Sequence, residues 1–277
     1  MTAWTIAGRA VAITGASGGI GGASAVELAR GGARLILVGR NPERHRLVRT
    51  KIEAVGGEAI LIEADFTSLP AVAEAGRRLA EESPSVLINN AATAGRRGVT
   101  ENGFEVTFAV NHLAHFLLTR LVLEKMAAHP PGRILTVSSN AHLGIGSFDW
   151  QAGQGTTRSL TGMREYRHSK AANVAFTLEL SRRLAGTELT AAAIHPGLVA
   201  TGLWWRIPRP FRHLALRRMV GPEQGARVVV HCATTPELIP GGYYTPSGLR
   251  PPADYVSDPE TNIAFWERSE QLVAAWL

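Results

Sequence analysis

Two side chains near the middle of the chain are spaced for proton transfer. Tyr166 and Lys170 stand four positions apart in Tyr166-Arg167-His168-Ser169-Lys170. On a helix they are neighbours on one face. An ammonium beside a phenol favours the phenolate and draws the tyrosine below its usual pKa of about 10. That gives a proton donor and acceptor usable near neutral pH. Tyr and Lys also meet at this spacing by chance in many helices, so the pair alone equally fits ordinary packing.

The second stretch with chemistry in it is Thr14-Gly15-Ala16-Ser17-Gly18-Gly19-Ile20-Gly21. It follows the apolar run Ala10-Val11-Ala12-Ile13, which reads as a buried strand. It opens into Ala23 to Arg30, which reads as a helix. A glycine-rich turn there lets backbone approach a phosphate, and the helix N-terminus supplies free N–H groups and the positive dipole end. The spacing departs from the G-x-G-x-x-G fingerprint, and by itself it also fits a tight turn in any α/β protein.

The strand that follows, residues 33–39, ends in Gly39-Arg40-Asn41. A dinucleotide-binding fold usually places an acid here for the adenosine ribose 2′-hydroxyl. This chain has no acid to repel a 2′-phosphate, and Arg40 is placed to pair with one. The reading is NADP(H) in preference to NAD(H), although a surface arginine at a strand end is common. Asp65 is read either as a partner of the adenine amino group or as a helix cap. Asn89-Asn90-Ala91-Ala92 suits a wall of a cofactor crevice. His112 and His115, three apart, form a candidate metal pair, ranked below packing because no third ligand lies nearby and H-E-x-x-H is absent; no metal is expected.

These residues require strands to carry them. Strands are expected at 58–64, 86–88, 133–137, 189–194 and 241–244. Helices are expected at about 41–56, to about Glu82, at 105–128, from Tyr166 to about Leu184, and from Gly221 to about Ala233. Strand–helix alternation with short connections implies an α/β fold: a single-domain, Rossmann-type, doubly wound parallel sheet flanked by helices, spanning residues 1–277. Its ligand crevice lies at the strand carboxyl ends, where Gly15, Asn89 and Ser139 all fall.

Composition sets outer bounds. The 277 residues are 45% hydrophobic, enough to bury one large core, and no linker divides them. Cys232 is the only cysteine and reads as inert packing in an apolar helix, so a reducing, cytoplasmic setting is expected. No signal peptide is visible in Met1-Thr2-Ala3-Trp4-Thr5, and no apolar run looks long enough to span a bilayer. The net charge is +6, but the arginines are scattered and do not interleave with aromatics, so a nucleic-acid partner is not expected. The Ala171–Leu180 face is read as packing on the sheet or on a second copy in a homodimer.

Four motifs stand in order across the chain: Thr14-Gly15-xxx-Gly19-Ile20-Gly21, Asn89-Asn90-Ala91, Ser139 with Tyr166-xxx-Lys170, and Pro196-Gly197. Together they resemble the short-chain dehydrogenase/reductase family. Val110-Asn111-His112-Leu113-Ala114-His115-Phe116, Val137-Ser138-Ser139-Asn140-Ala141-His142, Tyr166 to Asn173, and His195-Pro196-Gly197 are similar to its retinol-dehydrogenase-like branch, over about residues 6 to 235. The resemblance implies that Tyr166 exchanges the proton with the carbonyl oxygen, Ser139 hydrogen-bonds that oxygen, Lys170 holds the nicotinamide ribose, and Asn111 holds a relay water. It also implies that Gly15, Ser17, Gly19, Ile20 and Gly21 line the cofactor, with Arg40, Asp65, Phe66 and Asn90. On the far side Pro196, Gly197, Val199 and Thr201 would join them, along with Tyr166 and Lys170 themselves. Ser17 stands where many NADP-dependent members carry a basic residue, which leaves Arg40 as the main handle. Ser139 and Tyr166 are 27 positions apart, a long gap that the retinol-dehydrogenase-like branch shares.

The stretch about 198–220 is expected to fold over the substrate. Its Trp204, Trp205 and Phe211 suggest a lipophilic or aromatic small molecule, packing on their own protein being equally open and a membrane-surface contact weaker. The leading expectation is a ketoreductase or alcohol dehydrogenase, possible in natural-product metabolism. The alternative is a catalytically silent cofactor-binding sensor or scaffold, and a serine hydrolase is remote because no G-x-S-x-G is present.

Overall fold

The computed structural model describes residues 4–149, 151, 153–201 and 219–277. Trp204, Trp205, Phe211 and most of the expected 198–220 lid lie outside the described residues.

The chain alternates from its start: β1 (Ala10–Thr14), α1 (Gly19–Arg30), β2 (Arg34–Gly39), α2 (Pro42–Glu53), β3 (Glu58–Glu63), α3 (Leu69–Glu81) and β4 (Val86–Asn89). The long α4 (Val106–Ala128) follows, then β5 (Gly132–Val137), α5 (Met163–Arg183), β6 (Leu189–Ile194) and α6 (Pro222–Thr234). β7 (Tyr243–Thr245), β8 (Gly248–Arg250), α7 (Asp254–Ser257) and α8 (Pro259–Val273) complete it. The eight strands form one sheet in the order β3-β2-β1-β4-β5-β6-β7-β8, parallel up to β7 and antiparallel only at β7–β8. Strand order reverses between β1 and β4, where Val11 pairs with Leu35 on one side and Val86 on the other. That reversal opens a crevice at the carboxyl ends.

Helices on both faces explain why the central strands are nearly continuous apolar runs. On one face Leu79, Phe116, Leu117, Phe176 and Trp266 form a core under α3, α4, α5 and α8. On the other, Ile13, Leu28, Leu37, Val229 and Cys232 pack under α1, α2 and α6. Cys232 is fully buried and its thiol is pushed up to about 12 by burial, so it is packing, as expected. Asn41 caps α2 by accepting from Arg44 N at 2.9 Å, with Pro42 in the first turn.

Three expectations change. β8 was not anticipated, because Gly248-Leu249-Arg250 is short, exposed and lacks the apolar pattern of a core strand. α4 is long and apolar enough to cross a membrane, contrary to the expectation that no such segment exists, yet 83% of its apolar window is buried inside the fold. The Ala171–Leu180 face packs on more than the sheet. Phe176 stacks on Trp266 of α8 with ring centroids 5.8 Å apart, and Trp266 also packs edge-on against Phe116 at 4.9 Å. The chain's own C-terminal helix covers that face.

Candidate active site

The site is assembled where the carboxyl ends of β1, β4, β5 and β6 meet α5. Tyr166 sits in the first turn of α5 and Lys170 one turn on. The preceding loop is tied to that turn by Glu165, whose carboxylate accepts from Arg158 N at 3.0 Å and Ser159 N at 2.8 Å. Ser138 Oγ donates to Lys170 O at 2.6 Å, and Lys170 Nζ donates to Val137 O at 2.9 Å. The end of β5 is thereby bolted to α5, which brings Ser139, 27 residues upstream, beside Tyr166. Ser139 is extended and its Oγ accepts from Ala141 N at 3.1 Å, so the side chain is held at the mouth of the site.

The electrostatics differ from the expected lysine-activated phenol. Burial pushes Tyr166 up to about 12, partly offset by its hydrogen bond with the Ser139 side chain. Burial likewise pulls Lys170 down to about 7. Lys170 Nζ lies 5.8 Å from the Tyr166 ring centroid and is turned to the Val137 carbonyl. The i, i+4 spacing puts the two side chains side by side, but in a site this buried desolvation dominates and disfavours both charged forms.

Asn111 is held from several sides. It lies in a π-helical turn, Ala109–Leu113, inside α4. Its Nδ2 donates to Thr93 O at 3.0 Å and to Ser169 Oγ at 2.9 Å, and its Oδ1 accepts from Thr93 N at 2.8 Å. Both amide N–H donors are engaged within the protein. Ser169 Oγ in turn donates to Tyr166 O at 2.8 Å. The Asn111 side chain therefore braces the Tyr166 turn against the β4–α4 connection.

The glycine turn fits a dinucleotide. A Cβ on Gly15 would lie 2.7 Å from Ala91 Cα, and one on Gly21 would lie 2.5 Å from Asn90 Nδ2. Gly19 has φ of +54° and its bare face lies against the Thr201 methyl. Gly18, the N-cap of α1, gives it no side-chain cap bond, and no acid lies in its first turn, so its N–H groups and dipole are left for an anion. Gly15, Ser17, Gly19 and Ile20 are only partly buried there, and Ile20 approaches Val199 across Gly225. Asn90 locks the turn to β4 through Nδ2 donating to Thr14 O at 2.8 Å. Pro196 is buried at the end of β6, and Gly197 has φ of +90°.

One network here has no signature in the sequence. Thr14 Oγ1 accepts from Asn90 N at 2.8 Å and Ala91 N at 2.9 Å, which fills its lone pairs. Its own hydrogen then goes to His115 Nε2 at 2.9 Å, shorter than its 3.4 Å approach to Ile88 O. This fixes the tautomer: His115 Nδ1 carries the proton and donates to Asn111 O at 3.0 Å. Burial holds His115 at about 4 and His112 at about 3, so both rings are neutral. His112 bonds Ser269 Oγ at 2.9 Å, and the two histidines pin separate elements instead of converging.

At the adenosine end Arg40 is 64% exposed and its NH1 lies 3.8 Å from Asp65 Oδ2. Asp65 does not cap α3, which Ser68 does; its Oδ1 accepts from Thr67 N and Thr67 Oγ1. Burial raises the Asp65 pKa, but the Thr67 bonds and the Arg40 and Arg96 charges together bring it below the usual range. Phe66 is buried against His115 with centroids 5.3 Å apart, so its ring belongs to the core.

Beyond Ser139 opens a cavity of about 440 Å³ lined in part by Asn140, Leu143, His195, Gly197, Tyr243 and Arg250. Tyr243 Oη donates to Asn140 Oδ1 at 2.9 Å. Residues 243–250 were not anticipated as lining, because only the β6–β7 pairing brings them there.

The short chain dehydrogenase family profile matches residues 9–210. Human retinol dehydrogenase 13 is 35% identical over 291 aligned positions, covering 97% of this chain and 86% of its own. A protein of Streptomyces sp. (strain C5), provisionally named daunorubicin C-13 ketoreductase DnrU, is 37% identical over 278 positions, covering 96% and 93%. A crystal structure of a Mycobacterium paratuberculosis protein of unassigned activity superposes with TM-score 0.79 at 33% identity, over 99% of this chain and 98% of that one. With the Ser139–Tyr166–Lys170 set near a glycine turn at the sheet's switch point, this chain belongs to the short-chain dehydrogenase/reductase family of nicotinamide-dependent oxidoreductases, on its retinol-dehydrogenase-like branch.

Proposed function

We propose that this protein is an NADP(H)-dependent oxidoreductase interconverting a carbonyl and an alcohol on a lipophilic or aromatic small molecule. The observation that carries the reading is the Ser139–Tyr166 hydroxyl pair beside a 440 Å³ cavity, with the buried Lys170 amine behind it. A nicotinamide held in this crevice would supply the hydride chemistry. Ser139 and Tyr166 hydrogen-bond the substrate oxygen, and in reduction Tyr166 gives that oxygen its proton. A phenol held near 12 is a donor that stays protonated until the oxygen gains charge. Lys170 Nζ, now donating to the Val137 carbonyl, would hold the nicotinamide ribose, and its charged form would ease that transfer. Asn111, through Thr93 and Ser169, keeps the Tyr166 turn in place.

The preference for NADP(H) is supported by Arg40 at the end of β2 and by the absence of an acid there. The lipophilic substrate is supported by Leu143, which lines the cavity and is 57% exposed. One relative is named for retinol and another for a daunorubicin ketone. A cytoplasmic location, consistent with a lone buried cysteine, belongs to the same proposal.

The test is oxidation of NADPH, with NADH in parallel, against aromatic, retinoid-like, steroid-like and aliphatic carbonyls. Turnover favouring NADPH and falling about 100-fold or more in Tyr166→Phe is expected. Full turnover by Tyr166→Phe would sink the mechanism. Tight cofactor binding without turnover on any carbonyl would favour the silent-sensor alternative.

A further inference from the structure

His45 is a buried histidine at the carboxyl end of the sheet. It lies on the inner face of α2, with Val48 and Ile52 one and two turns on, and is only 1% exposed. Its Nε2 is buried with no hydrogen-bond partner. An imidazole nitrogen left in that condition is costly unless something arrives to bond it.

What the ring stands next to suggests what arrives. Gly39 is the last residue of β2, the position from which this fold normally projects an acid to the adenosine ribose 2′-hydroxyl. A Cβ built on Gly39 would meet His45 Cε1 at 2.8 Å and Nε2 at 3.1 Å, with Gly15 N of the phosphate turn 3.9 Å away. The imidazole thus fills the space an acid at position 39 would need, between the end of β2 and the glycine turn. Its unpartnered Nε2 lies 3.1 Å from where that Cβ would stand. The adjoining residue, Arg40, reaches outward on the exposed side, so the two basic groups flank one locus from inside and outside.

We propose that His45 determines cofactor choice: its Nε2 hydrogen-bonds the 2′-phosphate of the adenosine ribose, and its ring excludes an acidic side chain from position 39. The proposal rests on the NADP(H) reading and names a second reader for it. A neutral imidazole presents an N–H to a phosphate oxygen without a charge in the empty site, and burial favours that neutral form. A carboxylate in the same space would accept from a 2′-hydroxyl and repel a phosphate dianion. Arg40 supplies attraction from solvent; His45 supplies direction and the steric bar.

The experiment measures dissociation constants of NADPH and NADH by tryptophan-fluorescence quenching, together with thermal midpoints of the cofactor-free protein. The proteins are wild type, His45→Ala, His45→Gln, Gly39→Asp, the double variant His45→Ala/Gly39→Asp, and Arg40→Ala. His45→Ala is expected to weaken NADPH about ten-fold and NADH less than about two-fold, with His45→Gln, which keeps an N–H donor, recovering part of the loss. Gly39→Asp alone lowers the thermal midpoint without improving NADH binding. The double variant regains stability and binds NADH more tightly than the wild type. Equal losses for both cofactors in His45→Ala, or a Gly39→Asp protein as stable as the wild type, would overturn the proposal. Arg40→Ala separates the two levels of argument. If it loses NADPH affinity while His45→Ala does not, the NADP(H) reading stands and the role of His45 falls. If neither loses it, both fall.

Discussion

Replacing Lys170 by Met probes the strongest electrostatic perturbation in the site. Lys170 is 2% exposed, Nζ donates to Val137 O at 2.9 Å, and burial brings its pKa from 10.5 to about 7. In the unfolded chain the amine keeps its proton up to about pH 10.5. In the native protein it releases it near 7. Between those values the unfolded state binds more protons, so native stability rises with pH across about 7 to about 10.5 and is at its lowest, with respect to this group, below 7. A lowering of roughly three units, at about 1.4 kcal/mol each, corresponds to about 3–5 kcal/mol. Methionine keeps most of the buried stem and removes the titration. The cofactor-free Lys170→Met protein is therefore expected to exceed the wild type by about 2–4 kcal/mol at neutral pH, with the gap narrowing by about 2–3 kcal/mol near pH 9.5. Urea unfolding followed by tryptophan fluorescence at the two pH values measures this. Comparing two proteins cancels the groups they share. A gap of the same size at both values would show that Lys170 is charged and solvated in the native state, and the reasoning from burial would be wrong.

Three further outcomes follow from the same geometry. Gly21→Ala places a methyl 2.5 Å from Asn90 Nδ2 and 2.8 Å from Gly15 O, so it should cost about 1–3 kcal/mol and weaken cofactor binding at least about ten-fold; calorimetry reads both. His112 and His115 are held neutral down to about 3 and about 4 by burial, while unfolded histidine protonates near 6.5. Stability should thus be lost as pH falls from 6.5 towards 4, and His115→Gln should flatten part of that slope in acid-titration of the unfolding midpoint. Trp266→Ala removes the ring that covers Phe116 and Phe176, at a cost of about 3–5 kcal/mol. The exposed face should then self-associate more than the parent in sedimentation velocity.

Much of the site was legible because its chemistry is written in local spacing. The Gly15–Gly21 turn needs glycine for reasons confined to one strand–helix junction, and Tyr166 and Lys170 needed only a helix to become neighbours. Strand and helix alternation likewise followed from runs such as Leu35-Ile36-Leu37-Val38, whose burial on both faces demands helices on either side. Short exposed β8 carried no such pattern. The π turn at Asn111 was hidden for a different reason: it widens the helix to satisfy contacts with Thr93 and Ser169, which lie far off in the chain.

The sequence by itself determined the fold, the reaction family and which residues gather at the strand ends, because periodicity and short motifs are properties of neighbouring residues. Tertiary structure alone decided the rest. It turned Lys170 to Val137, engaged the Asn111 amide, set the His115 tautomer through Thr14, laid α8 over the α5 face, and put His45 in the place of an acid at Gly39. Each of those depends on desolvation or on hydrogen-bond partners brought together from distant parts of the chain, and neither is encoded in the spacing of neighbours.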